Sequence, residues 1–396
     1  MELINPLPIE SDDNQEAAET KEMELVMPPE LEQAAAAPYG TAVIKVLGIG
    51  GGGCNAVNRM YREKIPGVEY YGINTDAQHL FRCEIPHRVA IGQNMTRGLG
   101  VGGHPELGRQ AAEESRDELK KLVSGADMLF LAAGMGGGTG TGAIPLIAQL
   151  AKESGALTVA VVSKPFAFEV SARRKNADDG LARLKDFVDT MIVIPNDRLL
   201  DLGRENQENF TWQDALHMAD SVLHQGIQSI AEVVTVPGEI NVDFADVKSI
   251  LHDAGPAWLA MGKGKGEHRA IEAAKQASKS PLLDIAIEGA KRILFVITGG
   301  NNLTLREVQQ AADVIQDLAD PEANIIFGTA RDPKLDDEVK ITLVAASFPV
   351  FPDGAAERDE NLEKLLRDVL PEEEELDVPS FIRRGENQRK RRGFFR

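Results

Sequence analysis

Ala132-Ala133-Gly134-Met135-Gly136-Gly137-Gly138-Thr139-Gly140-Thr141-Gly142 is the stretch on which the fold turns. It follows the apolar run Met128-Leu129-Phe130-Leu131 and precedes Ala143-Ile144-Pro145-Leu146-Ile147-Ala148-Gln149-Leu150, which has helical character. A short, wholly apolar run bounded by glycines suits a strand buried on both faces, and such strands belong to parallel sheets covered by helices. The glycines then form a turn at the carboxyl edge of a sheet. Without Cβ atoms they let several backbone N–H groups converge on one anion, and the helix start adds its dipole, so the stretch reads as a phosphate cradle. Thr139 and Thr141 add hydroxyl donors. A flexible surface turn is the alternative, because many glycine clusters are no more than that. A Walker-type loop needs Lys followed by Ser or Thr, yet no lysine stands between Lys121 and Lys152, so amides, helix dipole and metal must meet the phosphate charge.

The chain of 396 residues is long enough for two domains with separate cores. A formal net charge of −19 argues against nucleic acid as a partner of the globular part, since backbone binding needs clustered Lys and Arg. Cys54 and Cys83 are the two cysteines and lack metal spacing, which agrees with a reducing compartment. Residues 1–38 carry ten Asp or Glu against one Lys and no long apolar core, so neither an export signal nor a membrane span is expected there. The same composition cannot bury enough surface to offset ordering entropy, and a disordered acidic arm is expected. These features together place the protein in the cytoplasm.

A second strand and glycine turn come earlier. Ala42-Val43-Ile44-Lys45-Val46-Leu47 is followed by Gly48-Ile49-Gly50-Gly51-Gly52-Gly53-Cys54-Asn55, which opens a helix at Ala56. Gly48, Gly50 and Gly53 satisfy the dinucleotide fingerprint, with Glu69 near the ribose position, and alone would suggest a nicotinamide-dependent dehydrogenase. Two glycine loops at two strand ends tell against that reading, because a nucleoside triphosphate can be gripped between them. Val68 to Ile73 is a further strand, leading to Asn74-Thr75-Asp76-Ala77-Gln78, where Asp76 either lines the site or caps the next helix. Leu157 to Val162 and Met191 to Ile194 are buried strands, the second ending at Asn196 on the ligand-binding edge. Residues 211–234 form one long amphipathic helix pattern. Asp243 and Asp246 lie three apart at a helix start, so they share a face and Asp243 can cap. From Gly255 to Pro349 strands alternate with the amphipathic helix Leu305 to Leu318, and Gly262 to Gly266 reads as a mobile turn.

Gly136-Gly137-Gly138-Thr139-Gly140-Thr141-Gly142 resembles the signature of the tubulin/FtsZ superfamily of GTPases, and motifs in the expected order over about residues 40–346 are similar to its bacterial cell-division branch. The resemblance implies an α/β fold: a Rossmann-like parallel-sheet GTPase domain (39–210), a long central helix (211–236), a smaller α/β C-terminal domain (237–349), and disordered tails. It implies that GTP or GDP, with Mg2+, is bound by Gly51, Gly52, Gly53, Cys54 and Asn55 on the inner phosphates and by Gly138, Thr139 and Gly140 on the outer ones. Glu169 and Arg173 take the ribose and neighbouring groups; their spacing also suits a helical ion pair worth about 0.2–0.5 kcal/mol. Asp220 reads guanine, while Leu216 stands where many relatives stack Phe on the base, and His104 stands where Asn is common. Asn241, Asp243 and Asp246 enter the next subunit's pocket and orient the attacking water. The metal ligands are not assigned.

The same resemblance implies head-to-tail homopolymers that form the division ring at mid-cell, on the inner face of the membrane. It further implies that residues 350–375 are a linker and that 376–396 hold an adaptor-binding peptide, with Leu376, Pro379, Phe381 and Ile382 as anchors for a membrane-tethering adaptor. Residues 383–396 carry seven Lys or Arg against one Glu, suited to weak contact with anionic lipid. A plasmid-partition or cell-shape relative of tubulin would polymerise too, without needing that C-terminal motif.

Overall fold

The computed structural model describes residues 42–65, 67–199, 211–235, 242–280, 289–332 and 334–348. In it each apolar run becomes a strand and each glycine turn a helix start. Strand β1 (Ile44–Ile49) leads into α1 (Gly50–Glu63), β2 (Val68–Asn74) into α2 (Ala77–Arg82), and β3 (His87–Ala90) into α3 (Gln93–Thr96), α4 (Pro105–Glu114) and α5 (Arg116–Val123). Then come β4 (Met128–Gly134), α6 (Thr139–Glu153), β5 (Leu157–Lys164), α7 (Ser171–Leu184) and β6 (Thr190–Pro195). The long helix α8 (Trp212–Thr235) and the short α9 (Phe244–Leu251) precede β7 (Gly255–Lys265), α10 (Arg269–Ser278), β8 (Arg292–Gly299), α11 (Leu305–Leu318), β9 (Asn324–Arg331) and β10 (Glu338–Ala346).

All ten strands form one sheet in the order β3-β2-β1-β4-β5-β6-β7-β10-β8-β9. From β3 to β7 every pairing is parallel. Strand β10 runs antiparallel to β7 and β8, and β9 parallel to β8. Parallel strands need helical crossovers, so the carboxyl ends of β1, β2, β4, β5 and β6 come to one edge. The register puts Ile49 beside both Ile73 and Ala133, which brings three loop starts into line.

The strand period of two divides the apolar side chains between the faces. On one face Val46, Phe130, Val161, Ile192, Leu259 and Val344 share a single core with Met60 of α1, Leu223 and Ile227 of α8, and Ile250 of α9. The long helix thus spans both halves of the sheet, as its spacing of three and four requires. The other face carries two separate cores. Leu47, Leu129, Leu131 and Val162 pack under Ala111, Ile144, Ile147 and Leu184; Phe295, Ile341 and Leu343 pack under Ala273, Ala277, Val308 and Ile315.

One expectation is corrected here. Gly262 and Gly264 are not in a mobile turn; they belong to β7, and α10 follows it. A Cβ on Gly262 would lie 2.0 Å from the Ala273 carbonyl oxygen, and one on Gly264 2.0 Å from that of Arg269. These glycines let a helix backbone close onto a strand. Only Gly266, with φ of +80°, makes the turn. The expected acidic extension 1–38, linker 350–375 and adaptor peptide with Leu376, Pro379, Phe381 and Ile382 lie outside the described residues, as does Asn241. No described helix is long and apolar enough to cross a membrane.

Candidate functional site

The glycine loops meet at the carboxyl edge of β1 and β4. Helix α1 begins at Gly50 rather than at Ala56, and α6 begins at Thr139 with Gly138 as its N-cap, so both glycine runs are first helical turns. The first amides of a helix have no intrahelical acceptor, which leaves those of Gly50–Gly52 and of Gly138–Gly140 for an anion. Two helix N-termini converge: a Cβ on Gly50, whose φ is +71°, would fall 2.7 Å from the Gly140 amide nitrogen. At Gly51 and Gly137 an added Cβ would meet no protein atom within 4 Å, so packing does not demand glycine there. Open space beside free amides is what a phosphate needs.

The side-chain positions of Gly53 and Cys54 face inward. A Cβ on Gly53 would lie 2.1 Å from the Ala132 carbonyl oxygen, so this glycine seats α1 against β4. The Cys54 thiol is fully buried and donates to the Gly48 carbonyl at 3.3 Å and to that of Ile73 at 3.6 Å. Thr139 and Thr141 also have internal partners. The Thr139 hydroxyl pairs with that of Thr75 at 2.7 Å, and Thr141 Oγ1 accepts from the Gly136 N–H at 2.8 Å, closing the signature loop.

The Asn74-Thr75-Asp76 segment ties these loops together. Asp76 caps α2 by accepting from the His79 N–H at 3.0 Å, which answers one of its two expected roles. His79 Nε2 lies 3.0 Å from Asn55 Oδ1, so the segment also fixes the side chain of Asn55. The Gly98–Glu106 stretch packs on the signature loop as well, since a Cβ on Gly138 would lie 2.2 Å from the Gly102 carbonyl oxygen. His104 is exposed at the N-cap of α4.

Asn55 and Arg59 stand one turn apart on α1, and that face leads from the amides to α8. There Asp220 lies 3.8 Å from the Arg59 guanidinium, and Arg59 also contacts His217 Nδ1. Burial pushes the Asp220 carboxyl up to about 6, against the opposing pull of Arg59 and His217. Leu216, one turn earlier on the same helix, is 41% exposed, an open apolar surface beside the carboxylate. Arg59 and His217 were not singled out in the sequence; the helical spacing from Asn55 to Arg59 is the signal that finds the first.

Beyond β5, Glu169 pairs with Arg173, and its Oε1 accepts from the Phe166 N–H at 3.0 Å. Arg173 borders the signature loop, because a Cβ on Gly136 would lie 2.6 Å from the Arg173 carbonyl oxygen. Asn196, at the end of β6, is buried with an Oδ1 that has no hydrogen-bond partner among the described residues.

Asp243 and Asp246 are elsewhere. Both are exposed, and Asp243 caps α9 by accepting from the Asp246 N–H at 2.7 Å. Helix α9 ends at the amino edge of the sheet, where Thr190 donates to the Leu251 carbonyl and His252 Nδ1 lies 2.8 Å from Asp189 Oδ1. The expected nucleotide residues are thus gathered at one edge, while the helix that the two acids open is tied to the other.

Two helix N-termini at the carboxyl edge of a parallel sheet, with a carboxylate and an open apolar patch a helix-length away, define a nucleotide-binding α/β protein. Comparison with known proteins narrows the class. Residues 43–204 match the sequence model described as Tubulin/FtsZ family, GTPase domain, and residues 255–349 that described as FtsZ family, C-terminal domain. A solved structure of an empty FtsZ dimer from M. jannaschii is 41% identical, with a TM-score of 0.75 over 81% of this chain and 92% of that one. The chain belongs to the FtsZ family, whose members are GTPases. Two proteins from Haloferax volcanii share the fold at lower identity. They are a GDP-bound CetZ1 monomer (22% identity, TM-score 0.68, 81% of this chain and 99% of that one) and a GTPγS-bound CetZ2 protofilament (19%, 0.67, 82% and 99%).

Proposed function

We propose that this chain binds and hydrolyses GTP, polymerises head to tail into protofilaments, and forms the cell-division ring, with hydrolysis at the subunit interface. One observation carries the reading: the phosphate-binding amides lie at the carboxyl edge of the sheet, whereas the helix opened by Asp243 and Asp246 ends at the amino edge. A head-to-tail neighbour would present its acids to this subunit's γ-phosphate.

In this reading Gly51, Gly52, Gly53, Cys54 and Asn55 hold the inner phosphates and Gly138, Thr139 and Gly140 the outer ones, Glu169 and Arg173 hold the ribose and neighbouring groups, and ionised Asp220 accepts from guanine N1–H and N2–H. Asp243 and Asp246, with Asn241, orient water in the neighbour's site; positioning and charge stabilisation supply most of the catalysis in phosphoryl transfer. Mg2+ fits the donor set only as an ion carried by the phosphates. The one group of three metal-ligating side chains among the described residues, Asp189, His252 and Asp253, lies at the amino edge of the sheet. Mg2+ is commonly held by phosphates and water, with one or two carboxylates, and would neutralise the charge on the triphosphate.

The partners follow from the same reading. Leu376, Pro379, Phe381 and Ile382 would anchor the tail in the groove of a membrane-tethering adaptor, and the basic end would add weak attraction to anionic lipid. The working location is then the cytoplasm at mid-cell, against the inner face of the membrane. Removing residues 376–396 should abolish adaptor binding and spare polymerisation.

The deciding experiment measures GTP hydrolysis against protein concentration, with sedimentation in parallel. Specific activity should rise above a threshold at which polymer appears. A flat profile with no sedimenting polymer would overturn the interface mechanism.

A further inference from the structure

Asn55 lies one helical turn beyond Gly51 on α1. Cα–Cβ bonds in a helix tilt toward its N-terminus, so the Asn55 side chain leans toward the open space at Gly51, where an added Cβ would meet no protein atom. A carboxamide offers two ends of opposite polarity. Its Nδ2 hydrogens would bind an anion there, whereas its Oδ1 would repel one. The two ends have nearly the same shape, so packing does not choose between them; hydrogen bonds must.

The choice is made by a chain of polar groups that starts at a backbone amide. The Thr75 N–H can only donate, and it donates to Asn74 Oδ1 at 2.9 Å inside the protein. Asn74 Nδ2 is therefore the end that faces His79 Nδ1, 3.4 Å away. An amide nitrogen does not accept, so Nδ1 accepts and the neutral ring carries its proton on Nε2. That N–H donates to the Asn55 atom 3.0 Å away, which must be the oxygen, and Nδ2 becomes the outward end of Asn55. His79 is itself held, because its backbone N–H donates to Asp76 Oδ1 at 3.0 Å. At the other end of the chain the Thr75 hydroxyl pairs with that of Thr139 at 2.7 Å, so one polar line runs from the signature loop to α1. We infer that His79 is a positioning residue for the nucleotide: it takes up the oxygen of Asn55 and so presents the Nδ2 hydrogens to the inner phosphates. This rests on the reading of the two glycine loops as a phosphate cradle, and adds to it a residue that acts only through Asn55.

GDP binding by the full chain is the test, because GDP carries the inner phosphates and is not turned over. Titration calorimetry is read on the parent, His79→Phe, His79→Gln, Asn55→Ala, Asn55→Asp and the double variant His79→Phe/Asn55→Ala, with thermal unfolding to check that each is folded. His79→Phe keeps a ring without an N–H and should weaken GDP binding about fivefold or more, since GDP must then order the Asn55 amide itself. His79→Gln keeps an N–H donor and should stay within about twofold of the parent. Asn55→Asp still accepts from His79 but turns its second oxygen to the phosphates, so it should bind more weakly than Asn55→Ala. The double variant should bind no more weakly than Asn55→Ala alone. Parent-like affinity in His79→Phe overturns the inference. So does an equal loss from His79→Phe in both Asn55 backgrounds, which would make the ring a support of the loop only. A parent chain that binds no GDP overturns the nucleotide reading, and this inference with it.

Discussion

Gly50 and Gly140 hold the two nucleotide loops in contact: a Cβ on Gly50 would sit 2.7 Å from the Gly140 amide nitrogen. Any side chain there strains a φ of +71° and also pushes apart the two helix N-termini. Gly50→Ala should destabilise the protein by about 1–2 kcal/mol from the left-handed backbone alone, and should abolish GTP binding. Thermal unfolding and equilibrium nucleotide binding test both effects.

Gly51→Ala separates folding from binding. A Cβ at Gly51 meets no protein atom, and alanine in a helix is favoured over glycine by about 1 kcal/mol. The variant should fold as well as the parent or better, yet lose nucleotide affinity, because the new methyl occupies the space left for phosphate. Unchanged affinity by titration calorimetry would remove Gly51 from the phosphate site.

Asp220 gives two opposite pH dependences. Its carboxyl is raised to about 6 from 3.8 by burial, so the folded state holds the proton more tightly than the unfolded chain. The empty protein should therefore lose stability as pH rises from about 4 to 6, by up to about 3 kcal/mol. In the proposed reading Asp220 accepts from guanine only when ionised, so GTP affinity should be flat above about pH 6 and fall about tenfold per pH unit below it. In Asp220→Asn the acid-side slope should vanish and affinity should be low throughout, which binding measured from pH 5 to 8 will decide.

The strands and glycine turns were legible in the sequence because their causes are local. Strands buried on both faces read as apolar runs, and Asp76 and Asp243 stand where a cap belongs. Features set by distant packing were hidden. Gly262 and Gly264 read as a turn because nothing nearby in sequence announces the α10 backbone that presses on them. The inward roles of Gly53 and Cys54 depend on β4 and β2, and the Arg59–Asp220 pair depends on how α1 meets α8. The site's residue types were readable; which of their atoms face the ligand was not.

Gly264→Ala tests that hidden requirement. A Cβ 2.0 Å from the Arg269 carbonyl must displace α10, and Arg269 is itself buried in an ion pair with Glu307 at 2.7 Å. Overpacking of this kind costs about 1–3 kcal/mol. Urea unfolding should show the loss, while GTP affinity should stay unchanged because the nucleotide loops belong to the other half of the sheet.

Asp243 and Asp246 share a helix start but divide its tasks. Asp243 Oδ1 accepts the Asp246 N–H at 2.7 Å, so Asp243→Ala should cost about 1 kcal/mol in stability as well as turnover. Asp246 uses only its backbone in that bond and is exposed, so Asp246→Ala should leave stability within about 0.5 kcal/mol of the parent. It should keep GTP binding and lose nearly all hydrolysis. Asp243→Ser should restore the cap and not the turnover, which distinguishes a water-orienting carboxylate from a helix stabiliser. Because the acids would act on the neighbour's nucleotide, Asp246→Ala subunits mixed into the parent protein should lower its activity more than dilution does. Normal hydrolysis by Asp246→Ala, or a loss no greater than dilution, would place the catalytic acid elsewhere.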